Sequence, residues 1–336
     1  MMRALEADGV TALDLAGITA LDTAGAWVIV TAERRGGMRL QGGTEAQLLL
    51  LETVRDALPD DAPPGRPKRF APVADALERV GRASHAFVQG LLRVTGFFGL
   101  VIARLVHTLL HPSRLRVTAL VFHMQQAGLN AVPIVALMAF LIGIVLAFQG
   151  ADQLRQFGAE VFAVDLIAIS VLRELGILLT AIIVAGRSAS AFTAAIGSMK
   201  MREEIDAMRT LGLDPIEVLV LPRVLALLIM LPVLGFLADI AGLLGGAMMT
   251  WYELGISPGM FRTRLLDTDV SHFLVGIVKA PFFALIIGVI GCYQGMQVEG
   301  NADSLGRLTS RSVVQAIFMV ILADATFSIF FAALGI

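Results

Sequence analysis

Six ionisable side chains stand inside stretches that are otherwise apolar: Arg173 and Glu174 in VLRELGILL, Arg187 in AGRSASA, Asp239 in FLADIAG, Lys279 in GIVKAPF and Asp324 in ILADATF. Three are cationic and three anionic, so their charges cancel. Each would cost about 2.5–3.5 kcal/mol or more if it faced hydrocarbon alone, so they are expected to face one another, water or the polar part of a ligand. Lys279 lies about 14 Å from one end of its apolar run and Asp324 about 18 Å from the matching end of the next, at 1.5 Å per helical residue. Those depths suit a pair. Such a pair can be purely structural, holding two helices in register, or Lys279 can meet a headgroup in a cavity. Arg173 and Glu174, being adjacent, are expected on different faces of a helix, one towards a cavity and the other pairing across helices.

The second feature is the stretch MKMREEIDAMRTLGLDP, Met199 to Pro215, which interrupts two of the most apolar regions with seven charges in sixteen positions. At 3.6 residues per turn, Met201, Ile205, Met208 and Leu211 share one face, while Arg202, Glu203, Asp206 and Arg209 share the other, with Glu204 beside them. Arg202 with Asp206, and Asp206 with Arg209, have pairing distance along a helix. Gly212 suits the position just past the helix end, and Asp214-Pro215 stops continuation. The spacing predicts a short amphipathic helix over about 199–213. It either floats on the headgroups or is gripped by a partner, with the two methionines suited to an adaptable contact and the acids Glu203, Glu204 and Asp206 gaining nothing from anionic lipid.

Other chemistry is missing from the pattern. No G-x-x-x-x-G-K-[ST] is present, so no nucleotide is expected on a phosphate-binding loop of this chain. Ser188 and Ser190 have no G-x-S-x-G context, and His272 falls near a span boundary, which disfavours a serine hydrolase. The histidines are read as forming no metal site, and one cysteine, Cys292, allows no disulfide within the chain.

The elements that must position these groups are membrane helices. Hydrophobic residues make up 57% of the 336 and charged residues 16%, with a mean hydropathy of +0.79, far from the roughly 25% charged of soluble domains. Five spans are predicted, about 131–151, 164–196 with interruptions, 218–250 with kinks at Pro222 and Pro232, 270–298 and 312–336, each near or above the ~20 residues a bilayer core needs. Before them, about 83–128 is apolar but carries Arg93, Arg104, Arg114 and Arg116, which fits a helix lying in the interface better than one crossing it. Residues 59–72 hold five prolines and read as a linker. Residues 1–58 read as a small α/β segment: strands in VTALDL and MRL, a helix AGAWVIVTAERR capped by Asp22 or Thr23, and another, TEAQLLLLETVRDAL, starting at Thr44. No secretory signal is recognised at the start. Lys200, Arg202, Arg209, Arg223, Arg307 and Arg311 fall in loops on the side of the linker, so that side and the N-terminus are expected in the cytoplasm and the C-terminus outside.

These residues carry a resemblance. QLRQFGAE, VLRELGILLTAIIVAGRSASAFTAAIGSMKMREEIDAMRTLGLDPIEVLVLPRVLA and SLGRLTSRSVV are similar, in order, to the MlaE (YrbE) family of ABC-transporter permeases over roughly 116–336. The resemblance implies a dimeric permease in the bacterial inner membrane. It implies a separate ATPase on each copy, with ATP and Mg held there, and an MCE-type periplasmic lipid-binding protein, the cargo being phospholipids or related hydrophobic molecules. It also implies that 199–213 is the coupling helix, and that Arg173, Glu174, Lys279 and Asp324 stand where the family has its intramembrane charges. Where members often carry Glu before that helix, this chain has Ala195. The N-terminal segment resembles part of a STAS domain, with LDTAG at 21–25 like that domain's D-S-S-G turn and Thr23 in the phosphorylatable position, though a plain helix cap explains Thr23 as well.

The expected fold is thus a mainly α, polytopic membrane protein with one interfacial and five transmembrane helices, a permease domain over 73–336 after a partial STAS-like segment. It is expected to translocate rather than catalyse. The rival is an ion-coupled secondary transporter with a regulatory STAS piece, in which Lys279, Asp324 and Glu174 would hold the coupling ion. A non-transporting scaffold is disfavoured by the charges at depth.

Overall fold

The computed structural model describes residues 12–18, 20–36, 39–58, 72–111 and 115–335. Nearly all of the expected linker over 59–72 lies outside the described residues, as do Gly37, Met38, Arg114 and Ile336. The chain divides into two compact units, 1–84 and 85–336.

In the first unit, β1 (Ala12–Asp14) and β2 (Arg39–Gln41) are parallel, with Leu13 opposite Leu40, and α1 (Thr23–Gly36) connects them. Parallel neighbours need such a crossover. Leu15, Ala26, Ile29, Val30, Leu51 and Val54 form a small core between these elements and α2 (Glu45–Ala57). The Asp22 carboxylate accepts from Gly25 N–H at 2.7 Å, so Asp22 caps α1 and Thr23 is its exposed first residue. Thr44 and Gln47 cap α2 reciprocally.

The second unit is helical. α3 (Pro72–Leu110) runs into it from the first unit; then come α4 (Val117–Ala127), α5 (Val132–Arg155), α6 (Ala163–Ser170), α7 (Gly176–Val184), α8 (Ser190–Met201), α9 (Glu204–Thr210), α10 (Leu221–Leu254), α11 (Pro258–Asp267), α12 (Val270–Met296) and α13 (Ala302–Ala333). Among the described residues six helical stretches are long and apolar enough to cross a membrane: 77–108, 117–155, 160–201, 216–254, 270–296 and 302–333. The segment expected as one interfacial helix is therefore two elements. α3 stops at Leu110, and α4 leads through the turn Leu129–Ala131 into α5, where Pro133 sits in the first turn and loses no hydrogen bond. Pro222 likewise occupies the first turn of α10, whereas Pro232 lies inside it.

The interruptions expected in the second span are two π-helical turns, 171–175 between α6 and α7 and 185–189 between α7 and α8; a third, 216–220, opens the span that continues as α10. Each widens the ladder to i→i+5 and re-aims the side chains after it. Helices pack by backbone contact where glycine permits. A Cβ at Gly143 would strike the carbonyl of Gly242, so α5 and α10 lie closer than larger residues allow. The core beneath includes Leu227, Leu231, Leu234, Phe283 and Ile287, all fully buried.

Candidate functional site

Gly276 positions the first cluster. A Cβ there would strike the Leu172 carbonyl, so α12 lies directly on the π turn 171–175, and Lys279, one turn on, projects beside it. Lys279 has no exposed surface, and its three N–H groups point at three oxygens: Glu174 Oε2 at 2.5 Å, Asp324 Oδ1 at 3.0 Å and Ser328 Oγ at 3.5 Å. Ser328 in turn donates to Glu174 Oε1 at 3.0 Å. The depth-matched pair of Lys279 and Asp324 is formed. The neighbours Arg173 and Glu174, expected on separate faces, meet at 3.8 Å in the widened turn. Two cations and two anions thus close on one another, and such closure is what offsets desolvation penalties of several kcal/mol per ion.

This geometry separates two roles that sequence left open. Lys279 is enclosed, with its protons engaged, and cannot reach a headgroup in this arrangement. The reachable members are Glu174 and Arg173, whose side chains keep 29% and 16% of their surface. Arg173 Nη1 also lies 3.4 Å from His272 Nδ1, which brings into the cluster a histidine that sequence reasoning had set aside. Ser328 was missed as well; one helical turn past Asp324 was the available signal.

Beside Asp324 on α13 an apolar groove of about 420 Å³ is lined by Met319, Leu322, Ala323, Thr326, Phe327 and Phe330. The lining recurs at three- and four-residue steps, the stripe of one helix face. Its size falls within the ~300–1,000 Å³ of ligand pockets.

The other depth charges stand apart from this cluster. Asp239 on α10 is 4% exposed, and its Oδ1 is buried without a hydrogen-bond partner among the described residues, pressed so close to Gly176 that a Cβ there would collide with it. Arg187, in the π turn 185–189, donates to the Gln126 carbonyl at 3.1 Å.

The stretch 199–213 contains a shorter helix than expected. α8 runs on to Met201, Glu203 adopts a left-handed φ of 61°, and α9 restarts at Glu204. The break resets the helical register, so Arg202 pairs with Glu204 at 2.8 Å rather than with Asp206, while Asp206 and Arg209 pair at 3.0 Å as expected. The apolar face is also redistributed. Ile205 is 2% exposed and Met208 half-buried, both packed on the chain's own core, whereas Leu211 is 77% exposed beside Asp206 and Arg209. Met201 is half-buried and Ala195 exposed. Gly212 has the expected positive φ, 75°. Beyond it Arg104 of α3 pairs with Asp214 at 3.0 Å and approaches Glu217 at 3.7 Å, and Asp214 Oδ1 accepts from Ile216 N–H at 2.9 Å.

One metal-compatible spacing escaped the sequence reasoning: His107 and His111 stand four apart on α3 and in the residue after it, ring centroids 4.6 Å apart. Among the described residues no third His, Cys, Asp or Glu joins them in a group that could hold a metal ion.

The family model described as Permease MlaE matches residues 120–330. A probable ABC transporter permease protein of Rickettsia typhi is 32% identical over 246 residues, covering 73% of this chain and 93% of its own length. One of Synechocystis is 33% identical, covering 60% and 77%. The intermembrane phospholipid transport system permease protein MlaE of Haemophilus influenzae is 35% identical over 208 residues, covering 61% and 79%. With these matches spanning the polar cluster, the groove and the loop helix, this multi-pass membrane protein belongs to the MlaE family of ABC-transporter permeases.

Proposed function

We propose that the chain is the translocation subunit of a phospholipid transporter, working as a homodimer in the bacterial inner membrane with its N-terminus in the cytoplasm and its C-terminus in the periplasm. A separate ATPase, holding ATP and Mg, docks on the loop 199–213 of each copy, and an MCE-type protein passes lipid on the periplasmic side. The observation that carries the docking step is α9. It is a separate helix between two long apolar ones, anchored by Ile205 and presenting Asp206, Arg209 and Leu211 to solvent. The gripped surface is therefore the charged face with Leu211, and Ile205 and Met208 hold the helix to the permease. The groove at Met319–Phe330 suits an acyl chain, with Arg173 and Glu174 facing the headgroup. Thr23, exposed at the start of α1, is the candidate phosphorylation site of the STAS-like unit.

The test is co-purification. Asp206→Lys, Arg209→Glu and Leu211→Asp together are expected to abolish capture of the ATPase while the permease stays folded; an intact complex would refute docking at α9. Transport by the chain alone on an ion gradient, without any ATPase, would instead establish the ion-coupled alternative.

A further inference from the structure

Two arginines within the apolar helical stretches have no carboxylate partner among the described residues: Arg187 in the π turn 185–189, and Arg223, which was expected in a loop but stands buried in the first turn of α10. Arg223 is 7% exposed. It donates from Nη1 to the Leu219 carbonyl at 2.5 Å and lies over the Phe192 ring at 5.8 Å, and its Nε is buried without a hydrogen-bond partner among the described residues. His123 of α4 also lies against Phe192, edge-on at 6.0 Å between ring centroids, and its Nδ1 is buried without a hydrogen-bond partner among the described residues. Arg187 reaches the same helix face one turn on, at the Gln126 carbonyl. Thus Arg223 and His123 share the Phe192 ring, and Arg187 bonds to α4 one turn from His123, with no carboxylate paired to either guanidinium among the described residues. Arg187, half-buried, is the outer member and Arg223 the inner one.

A guanidinium cannot shed its charge and is not left unpaired at depth without cost. Its planar donor fork matches an oxyanion of phosphate. The cluster around Lys279 already balances its own charges, and Arg187 stands thirteen residues further along the same span than Glu174, about 20 Å at 1.5 Å per residue. The two polar sites therefore lie towards opposite ends of one membrane helix.

We propose that Arg187 and Arg223, with His123, form a binding site for a phosphate oxyanion at the end of the bundle nearer α9, separate from the Lys279 cluster. The phosphodiester of a lipid headgroup and free phosphate share this chemistry. The inference rests on the lipid-permease reading only for its membrane setting; it is measured by binding, without ATP or ATPase, so a failed transport or docking experiment leaves it standing.

The experiment uses the full chain in detergent and measures its affinity for dioctanoyl phosphatidylglycerol, for a glucosyl-diacylglycerol with the same chains, and for inorganic phosphate. The expected result is at least a tenfold preference for the phospholipid over the glycolipid, reduced fivefold or more in Arg187→Gln with glycolipid affinity unchanged. Because Arg223→Gln risks misfolding, Arg223→Lys serves as the second variant: it keeps the charge, loses the fork, and is expected to weaken phospholipid binding as well. Inorganic phosphate bound as tightly as the phospholipid, and lost in Arg187→Gln, would support the site and assign it to free phosphate. Equal affinity for both lipids with no phosphate binding, or full retention of the preference in both variants, would overturn the proposal.

Discussion

Replacing Lys279 with methionine keeps most of the volume and deletes the charge that Glu174 and Asp324 share. Their oxygens lie 2.5 and 3.0 Å from the same nitrogen, so they are at most about 5.5 Å apart. Two carboxylates at that distance repel by about 3 kcal/mol at an effective dielectric of 20. Loss of one partner of a buried pair costs about 3–5 kcal/mol by a separate route. The agreement sets the expectation at about 3–4 kcal/mol, undiminished by solvent for Asp324, whose side chain is 13% exposed. Lys279→Met with Asp324→Asn should recover at least about 1.5 kcal/mol of that loss, since Glu174 then keeps Arg173 at 3.8 Å and Ser328 at 3.0 Å. The assay is reversible unfolding in mixed micelles for the wild type, both single variants and the double. A cost below about 1 kcal/mol for Lys279→Met, or strict additivity of the two changes, would refute the closed-cluster account.

Gly276→Ala is expected to destabilise the bundle by about 1–3 kcal/mol, because the new methyl meets the Leu172 carbonyl; an unchanged melting temperature would contradict the close approach of α12. Ile205→Ala should cost about 2–5 kcal/mol in stability, whereas Leu211→Ala should stay within about 0.5 kcal/mol and weaken ATPase capture instead; thermal melts and pull-downs of the pair separate anchoring from docking. Arg104→Gln should change stability by less than about 1 kcal/mol, since that side chain is 42% exposed, yet speed amide exchange at Ile216 and Val218, whose N–H groups bond to Asp214; unaltered exchange would show that the ion pair does not hold the turn.

Composition and periodicity were enough to determine that this chain is a helical membrane protein with a charged loop helix between two long spans, because burying backbone in lipid leaves helices as almost the only solution for such apolar runs. The motifs in VLRELG and MKMREEIDAMRTLG were legible for the same local reason, and depth arithmetic set Lys279 level with Asp324 while leaving open whether the lysine pairs or meets a headgroup. Three things depended on the tertiary structure. The π turn at 171–175 brought Arg173 against Glu174, which a uniform helical period separates. The left-handed Glu203 restarted the helix and turned Ile205 into the core, leaving Leu211 outside. The backbone contact at Gly276 enclosed Lys279, with Ser328 completing its shell. Each is set by a break in regular geometry or by a contact between helices roughly a hundred residues apart, and a periodicity read along one segment carries neither.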